Sequence, residues 1–318
     1  MLSRVADNLY WMSRYLERAE HTTRLIDVTL NLLLDQSVRT AEHRWAVALA
    51  SMNLPPMDTS DAYQVTQRLT FDVKNKSSIV SSINAARENA RQVREQISSE
   101  MWEQLNRLYL QARNTGINDI WNSGPHAFFR QVKEGIHLFQ GITDSTMSHG
   151  EGWRFIQIGR FIERARAMAS LLDAHFASLS GVQTATVDTG DYLEWVGLLK
   201  SCTAFEAYCK VYTADLRAES ITEFLLLNAD FPHSIRFSAD MLQAGLSAIA
   251  ETTQTHKSSR ANRLAGRLRA SLSFAQIEEI MENGLHVYLE DIQRQCGQIH
   301  ESIYQNYITY QIESALAS

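Results

Sequence analysis

Apolar side chains recur at spacings of three and four residues along two long segments of the chain. This is the period of an α-helix with one face turned towards a core. The first segment covers about residues 3–34, and its stripe is Leu9, Met12, Leu16, Ala19, Thr23, Ile26, Leu30 and Leu33. The second covers about residues 153–177, and its stripe is Phe155, Ile158, Ile162, Ala165, Ala169, Leu172 and Phe176. The pattern predicts two long helices, each with a buried face.

The rest of the chain alternates between helical patterns and short polar breaks. Further helices of the first half are predicted near residues 42–52, 61–71, 78–113 and 125–140. After a polar stretch from Ser178 to Gly190, those of the second half are predicted near residues 191–213, 218–228, 234–255, 258–271 and 274–315, the last with a break at Gly284. Only 4 prolines and 14 glycines occur in 318 residues, which favours helices over many short strands. The sequence therefore predicts an all-α helical bundle.

The two long segments also match each other residue by residue. Leu16-Glu17-Arg18-Ala19 corresponds to Ile162-Glu163-Arg164-Ala165, 146 positions later. Further along, Trp45 corresponds to Trp195 at an offset of 150, and Ser78-Ile79 corresponds to Ser234-Ile235 at an offset of 156. Offsets that grow slowly and keep their order indicate a tandem duplication with small insertions. We expect residues 1–150 and 151–318 to form two pseudo-symmetric halves of one compact unit.

The face opposite each apolar stripe repeats a set of charged residues. The set is Arg14, Glu17 and Arg18 in the first helix and Arg160, Glu163 and Arg164 in the second. The fixed fork of donors on arginine suits carboxylates and phosphates. If the two copies face each other, four arginines and two glutamates line one polar pocket. Alternatively, each Glu-Arg pair is a structural ion pair that only holds the helices in register.

The composition indicates which binding partners and which cellular location to expect for the protein. A formal net charge of −6 argues against a nucleic-acid partner for the chain as a whole. No apolar run reaches the roughly 18 residues of a membrane span, and charges such as Asp7 and Arg14 interrupt any signal-peptide core. Cys202, Cys209 and Cys296 form no Cys-x-x-Cys pair, which is typical of reduced thiols. We therefore expect a cytoplasmic protein that associates with neither membrane nor nucleic acid.

Motifs for cofactors and metals are sparse. The chain contains neither the Gly-x-x-x-x-Gly-Lys loop of P-loop ATPases nor the glycine fingerprint of dinucleotide-binding folds. A ferritin-like di-iron bundle needs a Glu-x-x-His motif on each of two helices. Only Glu134 and His137 supply such a motif here. We therefore expect no metal site and no cofactor.

Several further motifs occur in a defined order along the whole chain. They begin with Leu2-Ser3-Arg4-Val5-Ala6-Asp7-Asn8-Leu9-Tyr10-Trp11-Met12 and Tyr15-Leu16-Glu17-Arg18-Ala19-Glu20. They continue with Glu151-Gly152-Trp153-Arg154-Phe155, Gly159-Arg160-Phe161-Ile162-Glu163-Arg164, Thr203-Ala204-Phe205-Glu206 and Phe231-Pro232-His233-Ser234-Ile235-Arg236. In these motifs the chain resembles the bacterial alpha-E family, a helical family named for its Glu-Arg motif.

The resemblance implies a partnership with circularly permuted ATP-grasp proteins and with transglutaminase-like proteins. It also implies a role in making or modifying peptide or amide bonds. The family motif points to Glu17, Arg18, Glu163 and Arg164 as site residues, and helical geometry adds Arg14 and Arg160. Second-tier candidates are Asp144 and Glu151 in the predicted junction loop Gly141–Gly152, together with Arg154, Glu206 and Arg236.

The sequence favours an accessory or substrate-binding subunit, with the ATP chemistry on its partner. The substrate is expected to be a small anionic or peptide-like molecule that the arginines hold. Two alternatives stay open. One is an enzyme in its own right that uses Glu17 or Glu163 as a general base. The other is a scaffold in which the Glu-Arg pairs only fix helix packing.

Overall fold

The computed structural model describes residues 1–34, 40–59, 61–179, 189–213, 215–252 and 259–308. Within these ranges the chain is all helical and contains no strand. The helices are α1 (Ser3–Leu32), α2 (Ala41–Ser51), α3 (Ala62–Thr70), α4 (Ile79–Gln92), α5 (Ser99–Arg113), α6 (Ile117–Ser123), α7 (Pro125–Thr146), α8 (Glu151–Leu179), α9 (Thr189–Ser201), α10 (Phe205–Tyr212), α11 (Ala218–Leu227), α12 (Ile235–Thr252), α13 (Arg260–Phe274), α14 (Ile277–Asn283) and α15 (Leu285–Ile303). The all-α prediction is confirmed.

The two long predicted helices, α1 and α8, pack against each other at the centre of the molecule. Their contacts pair Tyr10 with Gly159 and Glu17 with Arg164, so the two helices run in the same direction. Both predicted apolar stripes are buried except at their last members, Leu33 and Phe176, which are partly buried. The opposite face of α1 is covered as well, since Tyr10, Arg14 and Glu17 are buried. A helix buried on all sides is a core element rather than an amphipathic surface helix.

The helices around this central pair are arranged in matching fashion on its two sides. α4 packs along α1, and α12 packs along α8. α2 and α9 pack on the central helix of the opposite half, α2 on α8 and α9 on α1. Between α2 and α9, Nε of Arg44 donates to Oε1 of Glu194 at 3.0 Å. Arg44 and Glu194 occupy matched positions in the two halves. The central pair is therefore enclosed by helices from both halves.

Local interactions explain why some predicted helices are shorter in the structure. The predicted helix 78–113 is divided because Val93 leaves the helical conformation and Ser98 begins α5 by accepting from the backbone N–H of Met101. The predicted helix 191–213 is interrupted at Thr203, whose φ is +52°. The last predicted helix breaks at Gly284, where φ is +100°. Such positive φ values favour glycine and are uncommon for other residues.

The prediction of a loop over Gly141–Gly152 was wrong for eight of these twelve residues, which belong to helices. α7 continues through Thr146, so only residues 147–150 connect it to α8. Phe139 and Thr143 are buried on one face of α7, and this packing carries the helix past Gly141. The polar stretch predicted from Ser178 to Gly190 lies mostly outside the described residues. No helix in the described part of the chain is both long and apolar enough to cross a membrane.

Candidate functional site

Two arginines one turn apart on α1 reach across to the same glutamate of α8. Nε of Arg14 donates to Oε2 of Glu163 at 2.7 Å, and Nε of Arg18 donates to Oε1 at 2.7 Å. A second nitrogen of each guanidinium lies at 2.6 Å and 2.7 Å from the same oxygens. Each oxygen of the Glu163 carboxylate therefore has its own arginine.

The opposite side of the helix pair repeats this arrangement with the helices exchanged. Arg164 of α8 donates to both carboxylate oxygens of Glu17 on α1, at 2.5 Å and 2.9 Å. Nε of Arg160 lies 3.7 Å from Oε2 of Glu17, which is beyond hydrogen-bond distance. Each motif glutamate is therefore neutralised by arginines of the other helix. A two-fold relation between α1 and α8 would produce this exchange.

The structure thus brings together all six motif residues predicted from the sequence, which we call the motif cluster: Arg14, Glu17, Arg18, Arg160, Glu163 and Arg164. Within the cluster four guanidinium groups face two carboxylates, and Glu20 and Asp144 outside it add favourable charges to Arg160. The motif cluster itself therefore carries two positive charges in excess. Burying excess charge is costly unless an anion compensates it.

The protonation state of Glu163 follows from its surroundings. Burial raises the pKa of the carboxyl, but the charges of Arg14 and Arg18 outweigh burial and hold the pKa below its ordinary value. Glu163 is therefore ionised and hydrogen-bonded on both oxygens. A carboxylate held in this way is a weak proton acceptor, which disfavours a general-base role for Glu163.

The four arginines differ in their access to solvent. The side chains of Arg14 and Arg164 are 5% and 2% exposed, whereas those of Arg18 and Arg160 are each 25% exposed. Arg14 is covered by the ring of Trp11, whose centroid lies 4.5 Å away, and also contacts Tyr10. Nη1 of Arg164 donates to the carbonyl oxygen of Pro232 at 3.0 Å. One arginine on each glutamate is sealed, and the other remains accessible.

Arg18 lies at the edge of a cavity of about 290 Å³ between α1, α8 and the turn after α2, which we call the open pocket. A second arginine, Arg166, lines the open pocket and is exposed. Hydroxyl and amide groups complete its polar wall, contributed by Thr22, Ser51, Asn53, Ser77 and Ser170. Asn53, with φ at +54°, donates from Nδ2 to the hydroxyl of Ser170 at 2.7 Å. The open pocket is thus polar and positively charged.

A second cavity on the other side of the helix pair is nearly filled, and we call it the closed pocket. Its free volume is about 10 Å³, which is room for one water molecule at most. Glu20 and Arg24 form an ion pair within it, and His233 also contributes to its wall. Glu20 additionally accepts from Nε2 of His137 at 2.9 Å and from Nε2 of Gln140 at 3.4 Å.

Two histidines near the cavities are neutral at physiological pH. Burial and the neighbouring charge of Arg24 together lower the pKa of His21 to about 4. Burial and the charge of Arg164 hold the pKa of His233 well below its ordinary value. Nε2 of His21 is buried without a hydrogen-bond partner among the described residues, although the side chain lines both pockets.

The second-tier candidates are distributed elsewhere, apart from Asp144. Asp144 contributes a favourable charge to Arg160 while its own side chain is 65% exposed. Glu151 accepts from the amino group of Met1, and Arg154 stacks over Trp153. Glu206 is exposed at the start of α10. Arg236 donates to the carbonyl oxygen of Leu227. The contacts of Glu151, Arg154 and Arg236 thus lie outside the motif cluster, and Glu206 is an exposed side chain.

Sequence patterns alone did not single out Arg166, Asn53 and Ser170. Arg166 is three residues after Glu163, which places it on the same side of α8, and this spacing is the one available sequence signal. Asn53 and Ser170 come together through tertiary contact only. Within the described residues, no group of three or more His, Cys, Asp or Glu side chains is placed to hold a metal ion.

Comparison with known proteins gives one family and relatives in two mycobacterial species. The family model Alpha-E, described as a predicted alpha-helical domain with a conserved ER motif, matches residues 1–308. The chain is 23% identical to the uncharacterized proteins Mb2597 of Mycobacterium bovis and Rv2567 of Mycobacterium tuberculosis. The match covers 94% of this chain but 35% of each relative, so the chain spans about a third of their length. No solved structure matches the chain.

Proposed function

Since this chain belongs to the Alpha-E family, whose defining Glu-Arg motif builds its central charged cluster, we propose that the motif serves to bind a substrate. The open pocket holds an anionic group of a small, peptide-like molecule, and Arg18 and Arg166 are its cationic contacts. The chain itself acts as an accessory, substrate-binding subunit. The chemical step belongs to a partner.

The observation that carries this proposal is the excess of positive charge beside a cavity. Among the described residues, Arg18 forms hydrogen bonds to Glu163 alone, and the Glu163 carboxylate is already shared with Arg14. Arg166 adds a further positive charge to the pocket wall. An anionic ligand compensates these charges and accepts hydrogen bonds from both guanidinium groups.

The same geometry disfavours a ligand held by its amine. Both oxygens of Glu163 are occupied by arginines, and Glu163 is the acidic residue of the pocket wall. We therefore assign the motif glutamates the task of orienting the arginines, rather than that of binding an ammonium group. Two buried ion pairs, Arg14 with Glu163 and Arg164 with Glu17, hold the helix pair in register. The structural hypothesis accounts for these two pairs. The binding hypothesis accounts for the accessible arginines.

The proposed partner is a circularly permuted ATP-grasp protein, with a transglutaminase-like protein as a further component. The resemblance of the sequence to the alpha-E family is the basis for both. The match to about a third of much longer relatives supports a domain that works beside another functional unit. In this arrangement the ATP-grasp protein activates a carboxyl group and forms an amide bond, and the present chain presents the substrate.

The binding proposal is tested by titrating the purified chain with N-acetylglycine, inorganic phosphate and glycinamide, and measuring heat release. The two anions are expected to bind and the cationic glycinamide is not. Arg18→Gln and Arg166→Gln should each weaken anion binding about tenfold or more, because each removes a charge-assisted hydrogen bond of about 1.5–3 kcal/mol. Arg91→Gln, on an exposed part of α4, is the control. Binding that is equal in all variants would contradict the proposal.

The partner proposal needs a separate measurement. Affinity purification of the tagged chain from its native host, followed by mass spectrometry, should recover an ATP-grasp protein. The Arg18→Gln variant should recover the same protein while losing product formation in the reconstituted pair. Product formed by the ATP-grasp protein alone at the full rate would show that the chain is not its substrate-binding subunit.

A further inference from the structure

The open and closed pockets are built from residues at matched positions of the two halves. Arg18 and Glu163 of the open pocket correspond to Arg164 and Glu17 of the closed pocket, 146 positions apart in sequence. Ser51 of the open pocket corresponds to Ser201 of the closed pocket at the offset of 150. The turns that follow these serines also match, because Asn53 and Thr203 both have positive φ, at +54° and +52°. The two pockets are therefore two versions of one site.

Three of the substitutions between the versions account for the difference in space and charge between the two pockets. The closed pocket has Arg24 and His233 where the open pocket has Ser170 and Ser77. These large side chains occupy the closed pocket and leave about 10 Å³, whereas the small serines leave about 290 Å³. The third substitution is a reversal of charge, since Arg166 stands at the position that matches Glu20.

The reversal of charge indicates which kind of group suits the open pocket. In the closed pocket the Arg24 guanidinium is paired with Glu20, four residues earlier on the same helix. In the open pocket the matching wall group is the cation Arg166, and the short side chain of Ser170 leaves the opposing place open. An anion suits this place beside Arg166, just as the cation Arg24 suits the place beside Glu20.

We propose that the closed pocket is a template for the open pocket, meaning that it shows where a ligand binds there. The ligand's anionic group occupies the place that matches the Arg24 guanidinium, between Arg166 and Arg18. This inference rests on the proposed function, and it adds the position of the anionic group and the class of group that fits. The group is a carboxylate or a phosphate, because either presents several oxygen acceptors to two guanidinium forks. The hydroxyls of Ser77 and Ser170 flank it.

The contacts of the sealed arginine support the same placement. Nε and Nη2 of Arg164 donate to Glu17, and Nη1 donates to the carbonyl oxygen of Pro232, so all three nitrogens donate within the protein. The matching Arg18 has its described hydrogen bonds on Glu163 only. The position that matches Pro232 is Lys76, and Arg18 has no described hydrogen bond to it, so one nitrogen of Arg18 is left for an oxygen of the ligand.

The template is tested without any ligand, by placing the anion on the chain itself. In Ser170→Glu the new carboxylate is four residues after Arg166. Glu20 and Arg24 have the same spacing, but there the acidic residue comes first and the basic residue second. We expect the Tm of Ser170→Glu to exceed that of the neutral Ser170→Gln by about 1 °C, and the Tm of Ser170→Arg to fall below it. Equal Tm values for the Glu and Arg variants, or the reverse order, would overturn the template.

A second variant keeps the inference testable if the single substitutions disturb the fold. Arg166→Glu combined with Ser170→Arg copies the Glu20–Arg24 pair of the closed pocket into the open pocket. This double variant should melt no lower than the unmodified chain and should lose affinity for phosphate and N-acetylglycine by more than tenfold. A double variant that melts as low as Ser170→Arg alone would show that the two pockets are not equivalent.

The two proposals fail in different ways. If the unmodified chain binds neither phosphate nor N-acetylglycine, the proposed function fails, whatever the order of Tm values. If the chain binds these probes but Ser170→Glu neither raises Tm nor blocks binding, the position given by the template is wrong and the binding function stands. A preference for phosphate over N-acetylglycine, or the converse, identifies which anionic group the pocket takes.

Discussion

At the scale of single residues, Arg18 and Arg164 hold matched positions, yet they have different surroundings. Arg164 is 2% exposed and bonds both oxygens of Glu17, whereas Arg18 is 25% exposed beside the open pocket. Removing Arg164 leaves the buried Glu17 carboxylate without its hydrogen-bonded partner. Removing Arg18 leaves Glu163 paired with Arg14. The two substitutions therefore have very different costs in stability.

We expect Arg164→Ala to lower the free energy of unfolding by about 3–5 kcal/mol, the usual cost of breaking a buried ion pair. Arg18→Ala should cost about 1–2 kcal/mol, because solvent reaches the site and Arg14 remains. Urea unfolding followed by circular dichroism measures both values. Equal losses would indicate that Arg18 is as structural as Arg164, and would weaken its assignment to the pocket.

The buried histidines predict how stability depends on pH. Burial lowers the pKa of His21 to about 4, whereas an unfolded histidine titrates near 6.5. Between these two values the unfolded chain binds a proton that the folded chain does not, so stability falls as the pH is lowered from about 6.5 towards 4. For His21 alone this amounts to about 2 kcal/mol between pH 7 and pH 5.

The measurement compares His21→Gln with the unmodified chain by urea unfolding at pH 7 and pH 5. The variant should lose about 2 kcal/mol less over this interval, while the other buried histidines still contribute to the loss. Glu163 does not contribute in this interval, because the stability due to its lowered pKa is lost only below the ordinary glutamate pKa of about 4.3. An unchanged difference between the two pH values would show that His21 is not buried as a neutral group.

At the scale of helices, the crossing of α1 and α8 depends on one glycine. A Cβ placed on Gly159 would lie 2.3 Å from the backbone oxygen of Tyr10, which cannot move without shifting the whole of α1. Gly159→Ala should therefore separate the helices and lower the free energy of unfolding by about 3 kcal/mol or more. Gly141→Ala is the matched control, because Gly141 lies within α7 and a Cβ added there would meet no atom within 4 Å.

The control should move stability in the opposite direction. Alanine is favoured over glycine in a helix interior by about 0.5–1 kcal/mol, so Gly141→Ala should be neutral or stabilising. Thermal unfolding of both variants measures the contrast. If Gly159→Ala were as stable as Gly141→Ala, the two central helices would not be in backbone contact at this point.

Helical periodicity predicted the elements better than it predicted their ends. The buried stripes of α1 and α8 follow directly from residues spaced by three and four, and the structure buries them as expected. The break at Val93 and the extension of α7 past Gly141 were missed. Both depend on which side chains are packed against neighbouring helices, and a single-sequence pattern carries no information about that packing.

At the scale of the whole molecule, the sequence predicted which residues form the motif cluster but not how they pair. Spacing places Arg14, Glu17 and Arg18 on one face of α1 without indicating that their partners lie on α8. The difference between the open and closed pockets also escaped prediction. The offset of 146 matches Ser170 with Arg24, but only the structure shows that these positions line two pockets, one of which is filled.

The exchange of partners between α1 and α8 also predicts that neither half folds alone. In a chain restricted to residues 1–150, Arg14 and Arg18 lose Glu163, Glu17 loses Arg164, and the face of α1 that packs on α8 and α9 becomes exposed. Circular dichroism and urea titration of this fragment should show low helicity and no cooperative transition. Co-expression with residues 151–318 should restore both, because the two fragments then supply each other's counter-charges and buried surfaces. A cooperative transition in the isolated fragment would instead identify residues 1–150 as an independent domain. The Glu-Arg pairs would then lie at an interface between two independently folded domains and would not be part of a shared core.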